Sequence, residues 1–180
     1  SNDVNAALDS ARTHGRKGLG CIIVFASGNN HPHILDVSYP ADLDGIITVG
    51  AIDKNGNIQS YSQRGRSMDF VAPSGGIPGD IVTTDLMGSR GKSAGNYIND
   101  FNGTSAACPQ VAGVAALILS VKPDLSWTEV AHVLQKTARD LGPKGFDNTF
   151  GYGLVNAGAA VQEVALQIYG PRNIDKNDVV

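Results

Sequence analysis

The chain has 180 residues, with 14 Lys plus Arg against 17 Asp plus Glu and a formal charge of −3. That balance lacks the basic footprint of a phosphate-backbone binder, so nucleic acid is not expected as a partner. Hydrophobic residues make up 42% and charged ones 17%, below the charged share of an average globular domain, which excludes disorder and predicts one well-buried core.

The first helix is expected where Asp3 can cap a run with Val4, Ala7, Leu8 and Ala11 at helical spacing, with Gly15 as its stop. Residues 21–26 are apolar throughout and rich in β-branched and aromatic side chains, which predicts a central strand buried on both sides. Residues 46–52 read as a second strand. Asn55-Gly56 is a turn signal leading into a short segment over 58–61. A third strand is expected over 68–72, stopped by Pro73. The Gly- and Ser-rich residues 74–96 then read as a loop with a short strand at 81–83. Residues 105–121 predict a helix buried nearly all round. Its most apolar stretch, 111–121, falls short of the ~20 residues of a membrane span, so no membrane is expected. Ser126 and Glu129 have capping-box spacing ahead of a stripe of Trp127, Val130, Ala131, Leu134 and Ala138. A last helix is expected from Val155 to about Leu166, then a polar tail over 169–180. Helix, Gly-rich link and apolar strand in this rhythm predict an α/β fold with a mostly parallel sheet. Cys21 and Cys108 are too few for a disulfide scaffold and read as free thiols.

Chemistry concentrates at Ser105, which follows a Gly-Thr pair at the head of an apolar helix. There a backbone N–H is unpaired and the helix dipole favours negative charge, which suits an oxyanion. The plainer alternative makes Thr104 or Ser105 an ordinary helix cap.

The wider pattern decides between them. Asn102-Gly-Thr-Ser105-Ala-Ala-Cys-Pro109-Gln-Val-Ala-Gly113 resembles the nucleophile segment of the subtilisin-like serine proteases, and Phe25-Ala-Ser-Gly-Asn29 resembles their oxyanion-hole segment. Tyr39-Pro40 followed by residues 46–51, Phe70-Val-Ala-Pro73 and Gly151-Tyr-Gly-Leu-Val-Asn156 match further blocks in the same order, so the resemblance covers residues 4–162. It implies a three-layer α/β/α domain, incomplete at its N-terminus, over residues 1–166, with 167–180 as a polar tail or the start of a linker. It further implies Ser105 as nucleophile and Asn29 as oxyanion donor. Ala26, Ser27 and Gly28 become one wall of the pocket for the residue before the scissile bond, with Ser38 near its rim. The implied partners are a peptide or protein substrate and the N-terminal half of the same domain. The implied location is secreted or cell-surface. No cofactor is implied for catalysis. A structural Ca²⁺ is allowed, with Asp36, Asp42 and Asp44 as candidate carboxylates against the reading of a solvated loop.

The family's Asp and His segments are missing from this sequence. Asp9-Ser10 is followed by Ala11, and His14-Gly15 by Arg16. His31 and His33 follow Asn29 in a loop, and His132 points off its helix's apolar stripe. Without an imidazole base the Ser105 hydroxyl is a poor nucleophile, so this chain alone is expected to be inactive, with its Asp and His upstream. The alternative is a non-catalytic relative that keeps the fold for binding or scaffolding. An unrelated α/β hydrolase would need Gly two residues after the serine, where Ala107 stands.

Overall fold

The computed structural model describes residues 2–76 and 81–170. Residues 171–180, most of the expected tail, lie outside them. Three parallel strands form the sheet in the order β1 (Val24–Ala26), β2 (Ile47–Ile52), β3 (Phe70–Pro73). Beyond β3 the chain adds a fourth extended segment: the Val71 N–H donates to Gly153 O at 3.0 Å, and the Val155 N–H donates to Val71 O at 3.1 Å.

Helices lie on both faces. Ile47, Val49, Ala51, Phe70 and Ala72 pack with Val111, Ala115 and Ile118 of α2 (Thr104–Val121). Behind α2, α3 (Trp127–Thr137) and α4 (Ala157–Tyr169) add Val130, Leu134, Ala160 and Val164 to the same core. Along the first strand segment, Ile22 and Val24 lie with Ala112, Ala115 and Ala116, whereas Ile23 lies with Asn5, Leu8 and Arg12 of α1 (Asn2–His14). Side chains alternate across a strand, so α1 and α2 flank opposite faces, and the three layers are those expected. The Ser126 capping box forms: its hydroxyl accepts from the Glu129 N–H at 3.3 Å, and Glu129 Oε2 accepts from the Ser126 N–H at 2.7 Å.

Several expectations are corrected. The first strand is three residues long, half-buried, and pairs with β2 alone, so within this chain it is an edge and not a centre. None of α1's residues is buried, and Asp3 sits in its first turn, not at its cap. The helix expected to be covered all round, α2, buries one side and exposes Ala112, Gly113, Ala116 and Leu117 on the other. By length and apolarity α2 would suit a bilayer, but it packs against all three strands and serves as the core helix. The loop after β3 carries a two-residue antiparallel ladder, β4 (Thr83–Thr84) with β5 (Tyr97–Ile98), overlapping the expected strand only at Thr83 and with a partner that the sequence did not announce. The last helix runs on to Tyr169.

Candidate active site

Glycine makes the approach to α2 possible. Gly103 precedes the helix with φ of 86°, in the left-handed region that L side chains avoid. It contributes no side-chain cap, and the helix begins at Thr104, so neither Thr104 nor Ser105 is the cap. That role falls to a residue far upstream in the chain: Asn29 Oδ1 accepts the Thr104 N–H at 2.9 Å and the Thr104 hydroxyl at 2.9 Å. Thr104 is fully buried, and its Oγ1 also accepts the Gly28 N–H at 3.3 Å. One threonine therefore joins the end of β1 to the head of α2.

This pairing fixes the asparagine's orientation. An N–H donor must meet the carboxamide oxygen, so among the described residues Asn29 Nδ2 has no acceptor, on an exposed side chain. Ser105, exposed at the second position of α2, has a backbone N–H outside the helical bonding pattern. Its hydroxyl has no hydrogen-bond partner among the described residues. Inside the helix, Pro109 has no N–H to give the Ser105 carbonyl. Asn29 and Ser105 are thus brought to one helix mouth, with donors left unspent.

A second set of bonds seats the same turn from the β3 side. Ser74 Oγ donates to Gly103 O at 2.7 Å, and the Gly103 N–H donates to Tyr61 Oη at 3.1 Å. Tyr61 Oη is in turn 3.0 Å from Ser74 Oγ. Gln110 Nε2 donates to Pro73 O at 2.6 Å and to Ala106 O at 2.8 Å, tying the helix to the end of β3. Thr104, Tyr61 and Ser74 are positioning residues that the sequence reading missed. The bonds they make cross 13 to 76 residues, and no local pattern marks them.

The remaining candidates fall as follows. Ala26 ends β1, Ser27 is buried with its hydroxyl unpartnered, and Gly28 continues the same segment. Ser38 is exposed and joined to this segment through Gln63, whose Nε2 donates to Ser38 Oγ at 3.3 Å. His31 makes its bond to Ser60 O at 3.1 Å, and His132 is exposed on α3. Among the described residues no three His, Cys, Asp or Glu side chains gather as a metal site. Asp36 uses Oδ1 on the Val37 N–H at 2.8 Å, and Asp36, Asp42 and Asp44 are not gathered into one ligand cluster. Asp42 and Asp44 instead share a cavity with Arg66 and Asp69, where burial pushes the Asp69 carboxyl up to about 6 against the lowering effect of the Thr48 N–H. Both cysteines are free, and burial pushes the Cys108 thiol up, away from the reactive thiolate.

Residues 1–153 match the family described as the subtilase family, Peptidase_S8. The chain is 37% identical over 177 residues to a calcium-dependent protease of Nostoc sp., covering 87% of this chain and 26% of that protein. It is 38% identical over 158 residues to subtilisin BL of Lederbergia lenta, covering 88% of this chain and 52% of the other. A solved protease structure from Pseudoalteromonas arctica superposes with a TM-score of 0.76 at 32% identity, over 91% of this chain and 47% of its own. The chain therefore spans about a quarter to a half of the length of these relatives. The family model covers most of the chain, the α/β sheet with helices on both faces agrees with the solved neighbour, and the chain belongs to the subtilase family.

Proposed function

We propose that this chain is the nucleophile-bearing part of a serine endopeptidase, acting on peptide or protein substrates outside the cell or on its surface. Ser105 Oγ attacks the carbonyl carbon of the scissile bond and gives its proton to an imidazole base. The tetrahedral oxyanion accepts hydrogen bonds from Asn29 Nδ2 and the Ser105 N–H, and collapse expels the amine to leave an acyl group on Ser105. Water then releases the acyl group by the same route. Residues 26–28 and Ser38 contact the substrate residue before the scissile bond.

The observation that carries this reading is the fixed orientation of Asn29: Thr104 holds its oxygen and leaves its nitrogen beside the head of the nucleophile helix. The base and its orienting carboxylate come from the N-terminal half of the domain, outside these 180 residues. In support, Ser105 has no histidine bonded to it among the described residues, and the chain spans only part of its relatives' length.

A fluorophosphonate probe, which needs an activated serine, tests the proposal in the complete polypeptide that carries this sequence. A single adduct on Ser105, absent in Ser105→Ala, is the expected result. A folded complete protein that takes no adduct would overturn the reading in favour of a non-catalytic binding domain.

A further inference from the structure

Gln63 is a polar residue only 2% exposed, in the turn between β2 and β3. A buried carboxamide is costly unless its groups are bonded, so its partners show what it is there to hold. They belong to two separate segments. The Gln63 backbone N–H donates to Gly28 O at 3.0 Å. Its side-chain Nε2 donates to Asp36 O at 2.6 Å and to Ser38 Oγ at 3.3 Å. The carboxamide also lies against the α-carbon of Gly28, where any β-carbon would overlap Oε1, and Gly28 has φ of 109°. Gly28 and Gln63 are therefore shaped to each other.

We propose that Gln63 is a positioning residue for substrate selection: it sets the spacing and orientation of the pocket wall at 26–28 relative to Ser38. This rests on the reading of those residues as the pocket for the side chain before the scissile bond. Residues 32–36 between the two segments are all exposed, and their neighbours are tied down at His31, whose N–H donates to Tyr61 O at 3.1 Å, and at the buried Val37. Gln63 joins the two segments directly, its backbone on Gly28 and its side chain on Asp36 and Ser38. The direction of the bond to Ser38 has its own consequence. Nε2 is a donor without lone pairs to offer, so Ser38 Oγ accepts from it and keeps its own proton for a substrate group. Gln63 thereby presents Ser38 as a donor.

Gln63→Met keeps the length and volume while removing both Nε2 bonds. In the complete polypeptide, we compare peptide anilides differing only in the residue before the scissile bond (Ala, Leu, Phe, Gln) with a small alkyl fluorophosphonate that lacks that side chain. The expected result is a change of about 5-fold or more in the ratio of kcat/KM among the anilides, carried mainly by KM, with fluorophosphonate labelling within about 2-fold of wild type, since one lost hydrogen bond corresponds to roughly 1 kcal/mol. Equal loss on all anilides and the small probe would mean a merely structural brace and overturn the proposal. Amide exchange gives a readout free of activity: Gln63→Met is expected to speed exchange at both 27–29 and 36–38, with α3 and α4 unchanged. Unchanged exchange at either segment would sink the proposal even if the protein proved inactive. A wild type unreactive to probe and anilides would count against the protease reading alone.

Discussion

Asn29 is held by its oxygen, because Thr104 offers it both a backbone N–H and a hydroxyl, each at 2.9 Å. On the proposed role the amide nitrogen is set before any substrate arrives, so it needs no reorganisation when charge develops. In the complete protein, Asn29→Leu is expected to lower kcat by about 10²–10³-fold with little change in KM, a magnitude that comes from subtilisin and so from this chain's own family. Steady-state kinetics on a peptide anilide checks it, and a fall in KM-dependent binding alone would contradict the assigned role.

Thr104→Val keeps the buried volume but removes the hydroxyl that bridges Gly28 and Asn29. It leaves the Gly28 N–H without its acceptor, a loss expected to cost about 1–3 kcal/mol in urea unfolding. Asn29 keeps the backbone bond and loses one of two anchors, so labelling of Ser105 should slow as well. A variant that unfolds earlier yet labels at the wild-type rate would separate the anchor from the chemistry.

Asp69 supplies a pH dependence of stability. Burial raises its carboxyl from the unfolded value of 3.8 to about 6, so the folded state holds this proton more tightly than the unfolded chain. The resulting stabilisation is fully present below about pH 4 and is lost as pH rises through about 6, by up to roughly 3 kcal/mol. Urea unfolding between pH 4 and 7 should show this fall in the wild type. Asp69→Asn, which keeps an acceptor for the Thr48 N–H, should flatten it.

Ser126→Ala removes the reciprocal cap of α3, on the far side of α2 from the sheet. The expected cost is about 1 kcal/mol, read as a lower midpoint in urea. Ser105 labelling should be unaffected, since α3 meets the site only through the body of α2. A change in labelling larger than the fraction unfolded explains would show that α3 governs the helix head.

Residues that act within one short run were legible in the sequence. Ser105 stood out because it follows a Gly-Thr pair at the head of an apolar helix, and Asn29 because Phe25-Ala-Ser-Gly-Asn29 resembles the family's oxyanion-hole segment. Their supports were not legible, because Thr104, Tyr61, Ser74 and Gln63 act through partners that only folding brings close. The layers followed from the alternation of helix and strand. Burial was less well read at β1 and α2, where apolarity shows that a surface wants cover but not which neighbour this chain supplies. Thr83–Thr84 and Tyr97–Ile98 were hard to pair for another reason: two residues are too few to establish a period.

At the head of α2 the chain closes a ring: Gly75 bridges Asn102, and Ser74 bonds Gly103. The excursion that carries β4 and β5 thus leaves and returns at one clasp, and its length is decoupled from the geometry it brackets. Insertions, trimmed tips or whole replacements between those two points should leave Ser105 where it is, which makes this excursion the place where such a scaffold can diversify, by evolution or by grafting, without disturbing the serine it surrounds.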